Sequence, residues 1–148
     1  MDTPAERLTQ TVDSFLLRLY TTDVDWETKP SADKWSSKEI IGHLLDSANI
    51  NMHRFIRCTY EQNFKLTYQQ NEWVATQHYQ TAKVEDLLIM WRMMNRQISR
   101  VFDKYPADAW QNTCDTGKGE VILRTVEYLA NDYIAHMKNH LGQIVLVF

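Results

Sequence analysis

Four stretches of this chain repeat apolar residues every three to four positions, and that spacing constrains the fold more than any other feature. An α-helix turns once in about 3.6 residues, so such a repeat lines up one buried face. The first stretch runs from about Pro4 to Tyr20, with Leu8, Val12, Phe15 and Leu19 on its stripe and Pro4 suited to a first turn. The second starts at an S-x-x-E capping box, Ser36 to Glu39, carries Ile41, Leu44, Leu45, Ala48, Met52, Phe55 and Ile56, and ends near Tyr60. The third runs from about Val84, capped near Thr81, to Tyr105 before Pro106, with Leu88, Trp91, Asn95, Ile98 and Phe102 sharing a face. The fourth spans about Val121 to Val147, with Ile122, Val126, Leu129, Tyr133, His136, Met137, His140, Ile144 and Val147 on its stripe. Four glycines and three prolines leave little room for the tight turns of a β-sandwich. The expectation is an all-α, single-domain four-helix bundle over residues 1–148. Its second and third connections are long enough for a topology other than up-down-up-down.

Those connections differ in character. TTDVDWETKPSADKW, before the second helix, is rich in turn formers. Residues 61–80 are too long for a structureless loop in a compact domain. A short helix over 71–79 is expected there, with Trp73 over the bundle end and the segment serving as a lid or pocket wall. ADAWQNTCDTGKGE, after the third helix, reads as a loop. Cys58 and Cys114 form no CxxC and read as two reduced thiols, one on a helix and one in a loop. Asp115 beside Cys114 argues against an activated nucleophile there.

Composition excludes several function classes. A net charge of −3 offers no basic face for nucleic acid. No apolar run approaches the roughly 20 residues of a membrane span. The start, MDTPAERLTQ, lacks the basic and apolar regions of a signal peptide, so a cytoplasmic location is expected.

The chemistry concentrates in histidines. His136 and His140 stand four apart on the fourth helix, offset by about 40°, and both fall on its buried stripe. Rings buried there need partners, and a divalent cation shared among imidazoles is one. The spacing is not the HExxH of metalloproteases, since Lys138 and Asn139 occupy the positions between. Hydrogen-bonded core histidines are the plain alternative. His43 lies almost opposite the stripe of Leu44, Leu45 and Ala48, on a face with Ile40, Ser47, Ile50 and Arg54. Spacing alone makes it an exposed or interface residue, unless that face lines a polar pocket. His53 reads as surface, and His78, in the long connection, as at most a spare ligand. Asp132, one turn before His136, and Gln143, three residues after His140, are candidates to orient a ligating ring. Arg54 is a candidate anchor for an anionic substrate group, with an ordinary salt bridge as its alternative.

Two segments carry a family resemblance. KPSADKWSSKEIIGHLLDSANINMHRFIR, with its Lys-Trp-Ser, Gly-His-Leu and Arg-Phe elements, and YIAHMKNHLGQI, with its histidine pair followed by Gln-Ile, resemble the DinB/YfiT-like superfamily from about Trp26 to Ile144. The resemblance implies a four-helix bundle of unusual connectivity and a divalent metal, often nickel or zinc. It implies ligation by His43, His136 and His140, and often a homodimer. Asn139 departs from the family, where a second histidine often precedes the last ligand. Characterised relatives include low-molecular-weight thiol transferases and thiol-dependent isomerases. The expected function is therefore a metal-dependent thiol S-transferase or hydrolase acting on a small electrophilic molecule, with a low-molecular-weight thiol as cosubstrate in the first case. The alternative is a non-catalytic dimeric bundle that binds a metal or small molecule.

Overall fold

Three of the four long helices begin at a side-chain cap that the sequence supplies. A computed structural model of the chain describes residues 1–145. Helix α1 (Pro4–Leu19) starts at Thr3 and α2 (Ser37–Arg57) at Ser36, each with a reciprocal capping box to the glutamate three residues on. Helix α5 (Val126–Ile144) starts at Thr125, whose hydroxyl accepts from the Tyr128 amide. Helix α4 (Val84–Asp103) has no side-chain cap. Thr81, expected as its cap, instead ends a 3₁₀ turn over Tyr79–Thr81. The short helix α3 (Gln70–Gln77) falls close to its expected span and stops at His78, whose φ of 53° is left-handed.

The expectation of a purely helical fold needs correction. Phe64–Lys65 (β1), Thr113–Asp115 (β2) and Leu123–Thr125 (β3) form a small sheet in the order β1-β2-β3. Strand β1 is parallel to β2, and β3 is antiparallel to it. This pairing takes residues 123–125 away from the last helix, which therefore starts at Val126 and not near Val121. The Asp115 carboxylate closes the β2–β3 turn by accepting from the amides of Gly117 and Ile122. Val147, assigned to the last helical stripe, lies outside the described residues.

The four long helices form a ring of neighbours. Both α1 and α2 pack against α4 and α5, so helices consecutive in the chain face each other across the core. Short loops would give adjacent antiparallel neighbours, and the long connections allow this diagonal arrangement. Leu8, Val12, Phe15, Leu44, Trp91, Ile98, Met137 and Leu141 fill the centre. No described helix is long and apolar enough to cross a membrane.

Helix α2 is enclosed on every side along its first half, with residues 38–48 all buried. Helix α3 and the 3₁₀ turn cover the face that the bundle does not. The preceding linker closes the start: Lys38 Nζ meets Glu27 at 2.6 Å, and Gln80 accepts from Ser36 and donates to the Glu27 carbonyl. Gly42 permits the closest approach. A Cβ there would lie 2.1 Å from the Tyr79 ring, whose hydroxyl donates to buried Asp46 at 2.6 Å.

Candidate metal centre

Helices α2 and α5 are neighbours in the ring, and each turns histidine toward the seam between them. His43 Nε2 and His136 Nε2 lie 3.4 Å apart. Ligand nitrogens of His43, His136 and His140 all lie within 4.8 Å of one another. The His136 and His140 ring centres are 4.6 Å apart, and His140 is 4.8 Å from His43. His43 is buried, while His136 and His140 are half-buried.

This donor set fits a divalent cation. Two nitrogens each about 2.0–2.1 Å from a tetrahedral ion stand roughly 3.4 Å apart, which matches the His43–His136 pair. Ligation also requires neutral rings. Burial, then the charges of His140 and His136, pull the His43 pKa from 6.5 to about 3. Burial and His140 lower that of His136, against an opposing pull from Asp132. Near neutral pH both rings therefore keep a lone pair. Gln143 Oε1 accepts from His140 Nδ1 at 3.0 Å, which places the proton on that nitrogen and leaves His140 Nε2 as the donor. His43 Nδ1 is buried and has no partner among the described residues, consistent with Nε2 serving as the working nitrogen.

The expected residues distribute unevenly. The three histidines meet. Gln143 hydrogen-bonds His140, whereas Asp132 is exposed and is tied to His136 only through its charge. Arg54 donates to the Leu66 carbonyl at 2.5 Å and to Asn51 at 3.4 Å, so it fastens the segment after β1 to α2. His53 and His78 are exposed and stand outside the trio.

Trp35, which entered the sequence reading only as the tryptophan of the Lys-Trp-Ser element, stands beside the cluster. Its ring lies 4.6 Å from His43 and 6.4 Å from His140, tilted over both. Trp35 also lines a cavity of about 500 Å³ together with Ile40, Gln70, Asn71, His140 and Gln143. Helix α3 thus contributes a pocket wall, as the length of the 61–80 connection suggested. The pocket combines an indole, carboxamides and one edge of the histidine cluster, which suits a small polar molecule presented to an ion.

The model of the DinB superfamily matches residues 5–144. A solved structure from Bacillus subtilis is similar in fold: YfiT, described as a probable metal-dependent hydrolase with an unusual four-helix bundle topology. It aligns with a TM-score of 0.85 at 16% identity, over 97% of this chain and 82% of that one. Comparison with curated protein sequences gives no significant match.

Proposed function

Because the chain belongs to the DinB superfamily, we propose that it is a divalent-metal-dependent enzyme acting on a small electrophilic molecule, with His43, His136 and His140 as the metal ligands. The observation that carries this reading is the convergence of three imidazoles from two helices within 4.8 Å. Nickel or zinc suits an all-imidazole donor set. A divalent ion supplies Lewis acidity there and generates a nucleophile near neutral pH.

The chain's own groups have definite tasks in this reading. Gln143 fixes the tautomer and orientation of His140. Trp35 covers His43 and keeps water from that side. The carboxamides of Gln70 and Asn71 stand where they can hydrogen-bond a substrate in the cavity. The reaction is hydrolysis if water is the nucleophile and S-transfer if a low-molecular-weight thiol takes its place. The description of YfiT favours the first.

The test starts from metal content. Tag-free protein loaded with Ni²⁺ or Zn²⁺ and desalted should retain one ion per chain by elemental analysis, and His136→Ala should retain none. Equal retention by the two proteins sinks the ligand assignment. Loaded protein should then turn over activated esters or amides, or join a thiol to an electrophile, and His136→Ala should not.

One observation favours a second reading, a non-catalytic bundle that binds a metal or small molecule. No carboxylate among the described residues hydrogen-bonds the histidines, so an acid–base partner for them is not built in. Metal-dependent melting without turnover across the ester, amide and thiol panels would support that reading over the enzymatic one.

A further inference from the structure

Four buried side-chain atoms lack a hydrogen-bond partner among the described residues, and two of them stand one turn apart on α2: Nδ1 of His43 and Oδ2 of Asp46. Buried polar groups in native proteins are almost always paired, so each such orphan has a cause. His43 is 1% exposed and Asp46 is 2% exposed, so bulk solvent serves neither. Residues three apart on a helix have Cβ atoms about 5–6 Å apart, and the Cβ of each later residue tilts back toward the turn before it.

The rest of each group is already committed. Asp46 Oδ1 accepts from the Tyr79 hydroxyl at 2.6 Å and from Gln77 Nε2 at 2.6 Å, which holds the carboxylate still and leaves its second oxygen unused. His43 Nε2 faces His136 Nε2. When Nε2 gives its lone pair to an ion, the ring proton must sit on Nδ1 and needs an acceptor. Trp35 covers the ring at 4.6 Å, and an indole N–H only donates. Ser47, four residues after His43, is also buried. Its Oγ accepts from Asn51 at 3.3 Å, and its own proton has no acceptor among the described residues.

Among the described residues no direct bond joins His43 to Asp46, yet one atom needs an acceptor and the other a donor. A single water answers both. It accepts from Nδ1–H, donates to Oδ2, and takes the Ser47 hydroxyl as a third partner, the usual number for a buried water. Metal-bound imidazoles commonly hand their second N–H to a carboxylate, carbonyl or water, which fixes the ring and raises its basicity. Gln143 does this for His140. Asp132, the other residue expected in this role, is exposed.

We propose that Asp46 is the positioning residue of His43: its Oδ2 takes, through one buried water, the hydrogen bond that His43 Nδ1–H donates. The inference rests on the reading of His43 as a metal ligand. A chain of hydrogen bonds then runs from Tyr79 and Gln77 through Asp46 to His43. The 3₁₀ turn and α3, which carry the first two residues, hold the ring by the edge turned away from Nε2.

The test has one arm without metal and one with it. In metal-free protein carrying isotope-labelled histidine, heteronuclear NMR should place the His43 proton on Nδ1, as a slowly exchanging signal that His43→Gln removes. Asp46→Asn should shift that signal and speed its exchange. A proton on Nε2, or an Nδ1–H signal indifferent to Asp46→Asn, overturns the proposal. In the second arm, Zn²⁺ affinity is measured by competition with a chromophoric chelator. Asp46→Asn should weaken it about 10–100-fold, the typical effect of losing such a partner. Tyr79→Phe disturbs the same contact but leaves Oδ2 in place, so its affinity should stay much nearer to that of the unmodified protein. Equal losses in the two variants would make Asp46 a support of the fold only, and no loss in Asp46→Asn would likewise reject the role. Unmodified protein that holds no Zn²⁺ would end the reading of the metal centre, and the metal-free arm would still decide whether Asp46 holds His43.

Discussion

At the scale of single residues, His43 shows how an environment overrules a periodicity. By helical angle it opposes the stripe of Leu44, Leu45 and Ala48, yet it is 1% exposed. The reason lies outside its helix. Trp35 and helix α5 occupy the side that spacing assigns to solvent, so both faces of α2 are interior there. His136 and His140 were legible as candidates from their place on the apolar stripe of the last helix, with the four-residue spacing in support. The role of Trp35 was not, because nothing local distinguishes an indole in a linker from one in a core. The buried ring also makes stability depend on pH. The folded pKa of His43, about 3, lies below its ordinary 6.5. The unfolded chain therefore binds a proton across that window that the folded chain refuses. In metal-free protein this contribution is complete above pH 6.5 and is lost as pH falls toward 3. Urea midpoints measured across this range should decline, and His43→Gln should flatten part of the decline. An unchanged profile would contradict the burial of that ring.

At the scale of elements, α2 is the most legible and also the most constrained. Its capping box fixed its start to the residue. Its end, expected near Tyr60, is Arg57, beyond which Cys58 caps and the chain turns. Strands of two or three residues escaped notice because a period of two cannot be read from so short a run. They moved the start of α5 by five residues. Gly42 is the position where α2 tolerates least. A methyl group there meets the Tyr79 ring at 2.1 Å, so Gly42→Ala must displace Tyr79 and strain its bond to Asp46. Overpacking of this kind costs about 1–3 kcal/mol, despite the better helix propensity of alanine. Chemical denaturation of the variant measures it, and a stabilised Gly42→Ala would show that the 3₁₀ turn yields freely.

At the scale of the whole molecule, the ring order places α2 beside α5, although His43 and His136 are 93 residues apart in sequence. Four amphipathic helices were evident in the sequence, but their arrangement was not. Periodicity specifies which face is buried and leaves open which neighbour buries it. An ion held between α2 and α5 would tie together two segments that only tertiary structure brings into contact, so its binding energy adds to the energy of the folded state. At a free ion concentration a thousandfold above Kd the gain is about 4 kcal/mol. Stripping the ion from loaded protein with a chelator should then lower the melting temperature by roughly 8–16 °C. The same chelator should leave His136→Ala unmoved, and equal shifts in both proteins would place the ion elsewhere.

The indole of Trp35, 4.6 Å from the His43 ring, makes this molecule its own optical gauge. An open-shell ion such as Ni²⁺ seated among the imidazoles would drain that fluorophore's excited state, whereas closed-shell Zn²⁺ would leave it bright. Emission titrations, with Trp35→Phe as the control that leaves the other four tryptophans in place, would therefore distinguish occupancy by the two ions without any knowledge of a substrate.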